Sequence, residues 1–321
     1  MSDSLASLRR KIDGAGDLES VVRSMKALAA ASIGQYEKAV LALTDYARTV
    51  ELSLVVSLRK QGGTQKRGDG PEARGASRTS VFSRPSSLAP RRSLGVGAIV
   101  FGSDQGLVGQ FNDVLADFAA QALNALPGEK KVWAVGERIH ARLQDAGLIP
   151  LGLFAVPTSV NAITPLVGQI LLESEAHHDQ AEFGQLYLYH NSPRSGAAYE
   201  PVGQRLLPLD APWGLRLAHL PWPTKNLPDV IGGQEGTLSA LVRGYFFVWL
   251  FKACAESLAS ENASRLAAMQ RAEKNIDELV LTLNQTFRRL RQTSIDEELF
   301  EVLAGASDRL GICLSSVNRR L

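Results

Sequence analysis

The chain has 321 residues, enough for two domains or for one domain with long extensions, and at 45% hydrophobic but only 7% aromatic it can bury a large, aliphatic core. Its two cysteines exclude a disulfide framework or a four-ligand zinc site, "MSDSLASLRRK" lacks the apolar stretch of a secretion signal and is too acidic and alanine-poor for an organelle transit peptide, and no uncharged apolar run approaches the ~18 residues of a membrane span. The expectation is a cytoplasmic chain without membrane insertion, whose net charge of +2 hides nine basic and two acidic residues between Arg59 and Arg92, a local +7 that leaves −5 elsewhere.

Residues 1–58 read as one helix. A heptad series runs Leu5, Leu8, Ile12, Ala15, Glu19, Val22, Lys26, Ala29, Ile33, Tyr36, Val40, Leu43, Ala47, Val50 and Leu54, with only Glu19 and Lys26 breaking the apolar row. A stripe of 3.5-residue period is a coiled-coil seam. Fifty helical residues would span about 75 Å. Gly14 and Gly16 weaken this helix locally, by about 1 kcal/mol each relative to alanine.

Residues 59–93 contain "KQGGTQKRGDGPEARGASRTSVFSRPSSLAPRRS", rich in Gly, Ser, Pro and Arg and without periodicity. This is the composition of a flexible basic linker or insert. A nucleic-acid tail is the sharper alternative, but only Phe82 is available to stack on bases, so no nucleic acid is expected.

Residues 94–210 alternate strand and helix: "GVGAIVFG", a helix over 112–126, "KVWAVG", a helix near 137–147, "LGLFAVP", a helix near 161–176, then "QLYLYHN" and "YEPVGQRLLPL". Such alternation predicts an α/β layer with a largely parallel sheet, the last two strands forming an antiparallel edge. Residues 211–236 are a Pro-, Gly- and Trp-rich connection. Residues 237–321 contain no proline and carry a second heptad stripe, Leu266, Met269, Ile276, Val280, Leu283, Phe287 and Leu290, broken by Glu273 and drifting to Ile295, Leu299 and Val302. Helix from about 237 to 304 would reach roughly 100 Å. Neither stripe can be buried alone, so the two are expected to pair, bringing the chain ends together across everything between them.

The turn "FGSDQGLVGQFN" places Gly102, Gly106 and Gly109 as G-x-x-x-G-x-x-G. The spacing is neither the G-x-G-x-x-G of a dinucleotide site nor a Walker loop, which needs a following lysine. Asn112 is expected to cap the helix that follows, with Asp113 favourable in its first turn. His177 and His178 sit in "ESEAHHDQAE" and read as a solvated helix end, adjacent side chains being poor chelators. His140, His190 and His219 are isolated. There is no G-x-S-x-G elbow, and Cys254 reads as a small buried residue. No catalytic, metal or cofactor site assembles from these residues.

Three segments together resemble one family. "LRRKIDGAGDLESVVRSMKALAAAS" resembles the N-terminal rotor helix of the gamma subunit of F-type ATP synthases. "GSDQGLVGQFN" is similar to that family's S-T/S-D-R-G-L-C-G-G-x-N turn, and "SLASENASRLAAMQRAEKNIDELVLTLNQTFRRLRQTSIDEEL" to its C-terminal signature. The match covers nearly the whole chain in order, most specifically at the C-terminal signature. The resemblance implies a long antiparallel coiled coil of the terminal helices plus a Rossmann-like α/β domain that binds no nucleotide, with Gly102, Asp104, Gly106, Gly109 and Asn112 forming a structural turn. It implies a non-catalytic central-stalk rotor of a proton- or sodium-translocating ATP synthase, coupling rotation of the proteolipid ring to ATP synthesis or hydrolysis in the alpha/beta hexamer, peripheral on the cytoplasmic face of a bacterial inner membrane. The implied partners are the alpha and beta subunits, the epsilon subunit and the membrane proteolipid ring.

By position in that family, Arg291 and Gln292 match a segment that contacts a catalytic beta-subunit loop, and Met25 lies near the beta lever region. Met25 is equally a seam filler, and Arg291 and Gln292 are otherwise solvated polar residues. Arg9, Lys11, Arg288 and Arg289 face acidic beta surfaces, or simply water. Departures accompany the match: Asp296 replaces a threonine, "GLCGG" becomes "GLVGQ", and "GAGDLESVVRS" loses two positive charges and adds Asp17 and Glu19. These point to a divergent, alternative F-type ATPase. Two other readings stand beside it, a coiled-coil scaffold with an α/β module and an enzyme using the α/β domain.

Overall fold

The computed structural model describes residues 4–64, 95–180, 182–194, 198–209, 222 and 234–317. Two long helices frame the described chain: α1 (Leu5–Thr64) at its start and α5 (Gln234–Val317) at its end. Between them come β1 (Gly95–Phe101), α2 (Phe111–Asn124), β2 (Lys130–Val135), α3 (Glu137–Asp145), β3 (Pro150–Phe154), α4 (Val160–Asp179), β4 (Phe183–Pro193) and β5 (Tyr199–Leu207). Six residues expected in the linker, 59–64, continue α1; Arg59, Lys60 and Gln61 are good helix formers, and the extension over Gly62, Gly63 and Thr64 runs against propensity. Most of the basic stretch and of the 211–236 connection, with His219, lies outside the described residues.

The chain divides into two compact units, one of residues 1–27 with 269–321 and one of residues 28–268. In the first, the heptad seam is realised. Leu8, Ala15 and Val22 are buried, Leu5, Ile12, Glu19 and Lys26 half-buried, and on α5 Met269 is buried with Ile276, Val280, Leu283, Phe287 and Leu290 half-buried. The two polar breaks in the opposing stripes meet: Lys26 Nζ lies 2.5 Å from Glu273 Oε2, 247 residues away in sequence. Glu19, the other break, takes an i,i+4 ion pair with Arg23.

The Lys26–Glu273 pair fixes the antiparallel register. Counting equal helical rise along both helices puts Leu5, where α1 begins, level with residue 294. Beyond that level α5 has no α1 beside it, and the expected continuation of the stripe is exposed instead: Ile295 54%, Leu299 56% and Val302 69%. A double-mutant cycle on Lys26→Ala and Glu273→Ala should give a coupling of about 0.5–3 kcal/mol in denaturant unfolding, with either single change costing more than half of the double. Additive effects would mean that the pair does not set the register.

The second unit is built on a five-stranded sheet of order β3-β2-β1-β4-β5. β1 pairs in parallel with β2 and β4, and β2 with β3, while β5 alone runs antiparallel, against β4. The period-2 alternation of β1 feeds two cores. Val96, Ala98 and Val100 join Leu115, Ala119, Leu123, Ile139 and Leu143 of α2 and α3 on one face. Ile99 and Phe101 join Ile163, Val167 and Ile170 of α4, Tyr36, Val50 and Leu54 of α1, and Leu250, Cys254 and Leu258 of α5 on the other. Burial raises the Cys254 thiol far above its ordinary value, so it stays a neutral packing group. Within Gly236–Leu303 one stretch is apolar enough to cross a membrane by length and composition, which the sequence reading missed. Of its window 56% is buried inside the protein, as in a core helix.

Candidate functional site

The turn after β1 is wired to its neighbours from both ends. Gly102 is required by close approach: a Cβ there would lie 2.2 Å from Ile139 Cβ and 2.8 Å from Asn112 Oδ1. Asn112 does not cap α2. The helix starts one residue earlier, at Phe111, with Gln110 in the capping position and no side-chain cap bond. Asn112 is instead buried and locks the turn, its Oδ1 accepting from the Ser103 N–H at 3.1 Å and its Nδ2 donating to Ser103 Oγ at 2.8 Å. Replacing Asn112 with alanine leaves the Ser103 N–H without its acceptor, while Ser103 Oγ keeps its bond to the Gln105 carbonyl at 3.0 Å, and should cost about 1–3 kcal/mol in thermal or denaturant unfolding. An unchanged midpoint would count against the lock.

Asp104 reaches further. Its Oδ1 accepts from the Glu137 N–H at 3.0 Å, at the start of α3, and its Oδ2 from the Val156 N–H at 2.9 Å, after β3. The Ser103 carbonyl accepts from the Arg138 N–H at 2.9 Å. Glycine 136 permits this at φ 119°. The backbone amides of Ser103, Glu137, Arg138 and Val156 at these strand ends are therefore held by Asp104, Asn112 and the Ser103 carbonyl. Gly109 at φ 59° and Leu107 at φ 64° complete the bend, leaving Leu107 62% exposed at its tip, while Gly106 is half-buried, with Arg138 Nη2 3.8 Å from its Cβ direction.

The C-terminal signature docks α5 on this turn, a role that sequence reasoning did not assign. Three hydroxyls on one helix face donate to carbonyls of three segments: Ser257 Oγ to Phe101 O at 3.0 Å, Ser260 Oγ to Asn191 O at 3.0 Å, and Ser264 Oγ to Val108 O at 2.5 Å. Asn191 Nδ2 donates in turn to Phe111 O at 3.0 Å. Ala253, Ala255, Ala259 and Ala263, interleaved with these serines, are all buried, so the backbones approach closely. Glu261 is buried among them, with Arg265 at 2.5 Å. Burial pushes its carboxyl up, Asp104 adds to the rise, and Arg265 opposes it.

Two histidine readings change. His190 is not isolated: its Nε2 lies 2.9 Å from Glu256 Oε2, which also accepts from Ser192 Oγ at 3.1 Å. His177 and His178 are half-buried rather than solvated, packed edge-on or tilted against Trp133 at 5.4 Å and Phe183 at 5.5 Å, and His177 Nδ1 meets Glu182 at 2.8 Å. Among the described residues no cluster of three metal-ligating side chains forms. Burial alone would raise the Glu256 carboxyl, but the hydrogen bond and charge of His190, with Lys252 and Ser192, hold it below its ordinary value. A carboxylate depressed in the fold adds stability above its unfolded range, about pH 4.3, and loses it as pH falls through the lower folded value. The stability gap between wild type and Glu256→Gln should therefore be widest near neutrality and close toward acid pH; a gap independent of pH contradicts the assignment.

The interface candidates all lie in the first unit. Arg9, Lys11, Arg288, Arg289, Arg291, Gln292 and Asp296 are exposed, and Met25 is half-buried. The register set by Lys26 and Glu273 brings Arg9 and Lys11 level with residues 288–290, so five cations gather at one height, next to Gln292. Asp296 stands past the start of α1, where the helix runs on without its partner. Met25 is half-buried beside Lys26 of the seam, with Val21, 56% exposed, and Leu28, 69% exposed, as its neighbours on α1.

A family model described as ATP synthase matches residues 4–308. The ATP synthase gamma chain of Anaeromyxobacter sp. (strain Fw109-5) is 25% identical over 315 residues, covering 94% of this chain and 98% of the relative. That of Hyphomonas neptunium (strain ATCC 15444) is 26% identical over 315 residues, with the same coverage of 94% and 98%. Among solved structures, a chain of the Euglena gracilis mitochondrial ATP synthase (OSCP/F1/c-ring, rotational state 3) superposes with a TM-score of 0.56 at 13% identity, covering 94% of this chain and 93% of that one. A chain of the Tetrahymena thermophila mitochondrial ATP synthase central stalk/c-ring gives 0.54 at 19% identity, covering 78% and 99%. At these identities the structural likeness speaks for the fold.

Proposed function

Because the chain belongs to the ATP synthase family, we infer that it is the central-stalk gamma subunit, the rotor that couples turning of a membrane proteolipid ring to ATP synthesis or hydrolysis in an alpha/beta hexamer. The observation that carries this reading is the Lys26–Glu273 register: the two ends of the chain pair antiparallel, and past Leu5 an apolar helix end is left for other subunits to cover. Relatives named ATP synthase gamma chain, matched over 98% of their own length, support it.

The mechanism follows from symmetry. A ring of three alpha and three beta subunits is approximately threefold, and a two-helix shaft is not. Each catalytic site therefore meets a different face of the shaft and is held at a different nucleotide affinity. Turning the shaft exchanges these states, and the coupling is reciprocal in binding free energy. This role requires stiffness and asymmetry from the chain, with the bond chemistry left to beta. The exposed group of Arg9, Lys11, Arg288, Arg289, Arg291 and Gln292 is the contact zone toward acidic loops of beta, with Asp296 one turn beyond it and Met25 a separate contact about 20 Å along the shaft, level with residue 274. Residues 94–210, held to α5 by the serine contacts, make the foot that engages the epsilon subunit and the proteolipid ring, residues 59–93 and 211–236 are connections, and residues 1–58 and 237–321 supply the shaft. The complex sits on the cytoplasmic face of a bacterial inner membrane and moves protons or sodium ions.

Affinity purification of the tagged chain from its native membranes tests the reading. Recovery of a nucleotide-hydrolysing alpha/beta hexamer is expected. Recovery of the chain alone, or nucleotide bound by the isolated chain, would favour the scaffold or enzyme alternatives.

A further inference from the structure

We propose that the open edge of β3 receives an extended strand from another subunit of the assembly, one that carries apolar side chains at alternate positions. The proposal rests on the rotor reading only in taking its occupant from that complex.

Among the described residues β3 is the last strand on its side of the sheet. Ile149, Leu151 and Leu153 are 81%, 47% and 48% exposed, alternating with half-buried Pro150, Gly152 and Phe154 from position 150 onward. One face of the strand is thus a ladder of three exposed aliphatic side chains two residues apart. The backbone adds a second feature. The Phe154 carbonyl accepts from the Gly136 N–H at 2.9 Å, at the end of β2, so the backbone groups of Phe154 point toward β2. Alternation over the in-register stretch Gly152–Phe154 then turns the N–H and C=O of Leu153 to the open edge, and Leu151 is passed over in the pairing with β2, where the register shifts. Aliphatic surface and unpaired backbone groups fall on the same residues.

Edge strands are ordinarily guarded by charged residues, by proline at outward positions or by bulges. Here the outward positions carry Ile and Leu, Pro150 occupies an inward one, and the guard present is a single register shift against β2 at Leu151. The pattern suits an added strand, with main-chain hydrogen bonds giving register and alternate side chains giving specificity. The size of the edge selects among occupants. Five residues span about 17 Å and offer on the order of a few hundred Å², well under the roughly 800 Å² per partner of a stable free-standing dimer. A second copy held by this edge alone would not persist. A strand from a subunit already bound elsewhere in the same complex would, because tethering raises its effective concentration.

The test is residue-resolved amide hydrogen exchange on the full chain, alone at two concentrations and within the purified complex. The Leu151 and Leu153 amides should slow at least tenfold on assembly, while Ile99 and Val100 in the central strand stay protected in every sample as the control for folding. In complexes carrying Leu151→Lys with Leu153→Lys the slowing should be lost with the control unchanged. Leu153→Pro, which removes one outward donor without touching the β2 side, should weaken the slowing read at Leu151. Equal exchange rates in the free and assembled chain overturn the proposal. So does protection already present in the dilute free chain, which would mean that the chain's own residues cover the edge, or protection that rises with the free chain's concentration, which would mean a second copy. Failure of the rotor reading looks different, since no hexamer would then be recovered with the chain.

Discussion

Alanine at position 136 should destabilise the α/β unit by about 2–6 kcal/mol. Gly136 sits at φ 119°, a conformation that side chains with a Cβ rarely adopt, and holding one there costs about 1–3 kcal/mol. The added Cβ would also lie 2.6 Å from the Ser103 carbonyl oxygen and 2.9 Å from its nitrogen. Those are backbone atoms at the end of β1, pinned by Asn112, and they cannot step aside as the tip of a side chain could. Overlap of this kind adds about 1–3 kcal/mol. The sum is a large share of the 5–15 kcal/mol that a domain has in total. Gly147 is the internal control: it too has positive φ, 82°, but nothing lies within 4 Å of its Cβ direction. Gly147→Ala should show strain alone, about 1 kcal/mol. Denaturant unfolding of the two variants side by side checks the argument; equal losses would mean that contact with Ser103 is not what position 136 enforces.

The second large effect is functional. Replacing Arg291 and Gln292 together by alanine should slow ATP hydrolysis by the assembled head by on the order of 10–100-fold, the equivalent of one charged hydrogen bond of about 1.5–3 kcal/mol. Both residues are exposed on α5, so the same change should move the stability of the free chain by no more than about 0.5 kcal/mol. That contrast separates a contact made in the complex from a role in folding. Unchanged hydrolysis together with unchanged assembly would remove the two residues from the mechanism and leave the nearby Arg9, Lys11, Arg288 and Arg289 as the remaining candidates.

How much of this could be read from the chain depended on whether the cause was local. The seam was legible because a 3.5-residue stripe is carried by neighbours in sequence, and even its flaws were informative: Lys26 and Glu273 each broke a row, and they proved to be one ion pair. The sheet was legible through strand and helix alternation, down to an antiparallel edge. The end of the seam was not, because Ile295, Leu299 and Val302 keep the spacing of a buried stripe, and only the starting point of the other helix leaves them uncovered.

The turn shows the same limit. Asn112 follows a strand and opens a helical run, which is where a cap belongs, yet the carbonyl and amide of its side chain answer Ser103 instead. Nothing near Ser257, Ser260 or Ser264 announces acceptors 156 and 69 residues away. The histidines were misjudged for a similar reason. His190 finds Glu256 66 residues later, and His177 and His178 gain their shelter from Trp133 and Phe183, rings contributed by strands β2 and β4.

Single-molecule observation of the assembled head puts the rotor assignment to its most direct test. With the alpha/beta hexamer fixed to a surface and a bead attached through Gln144→Cys, an exposed position on α3, addition of ATP should drive the bead around in one direction in discrete steps. A bead that stays still, or only fluctuates, while the same immobilised hexamers go on hydrolysing ATP would contradict it.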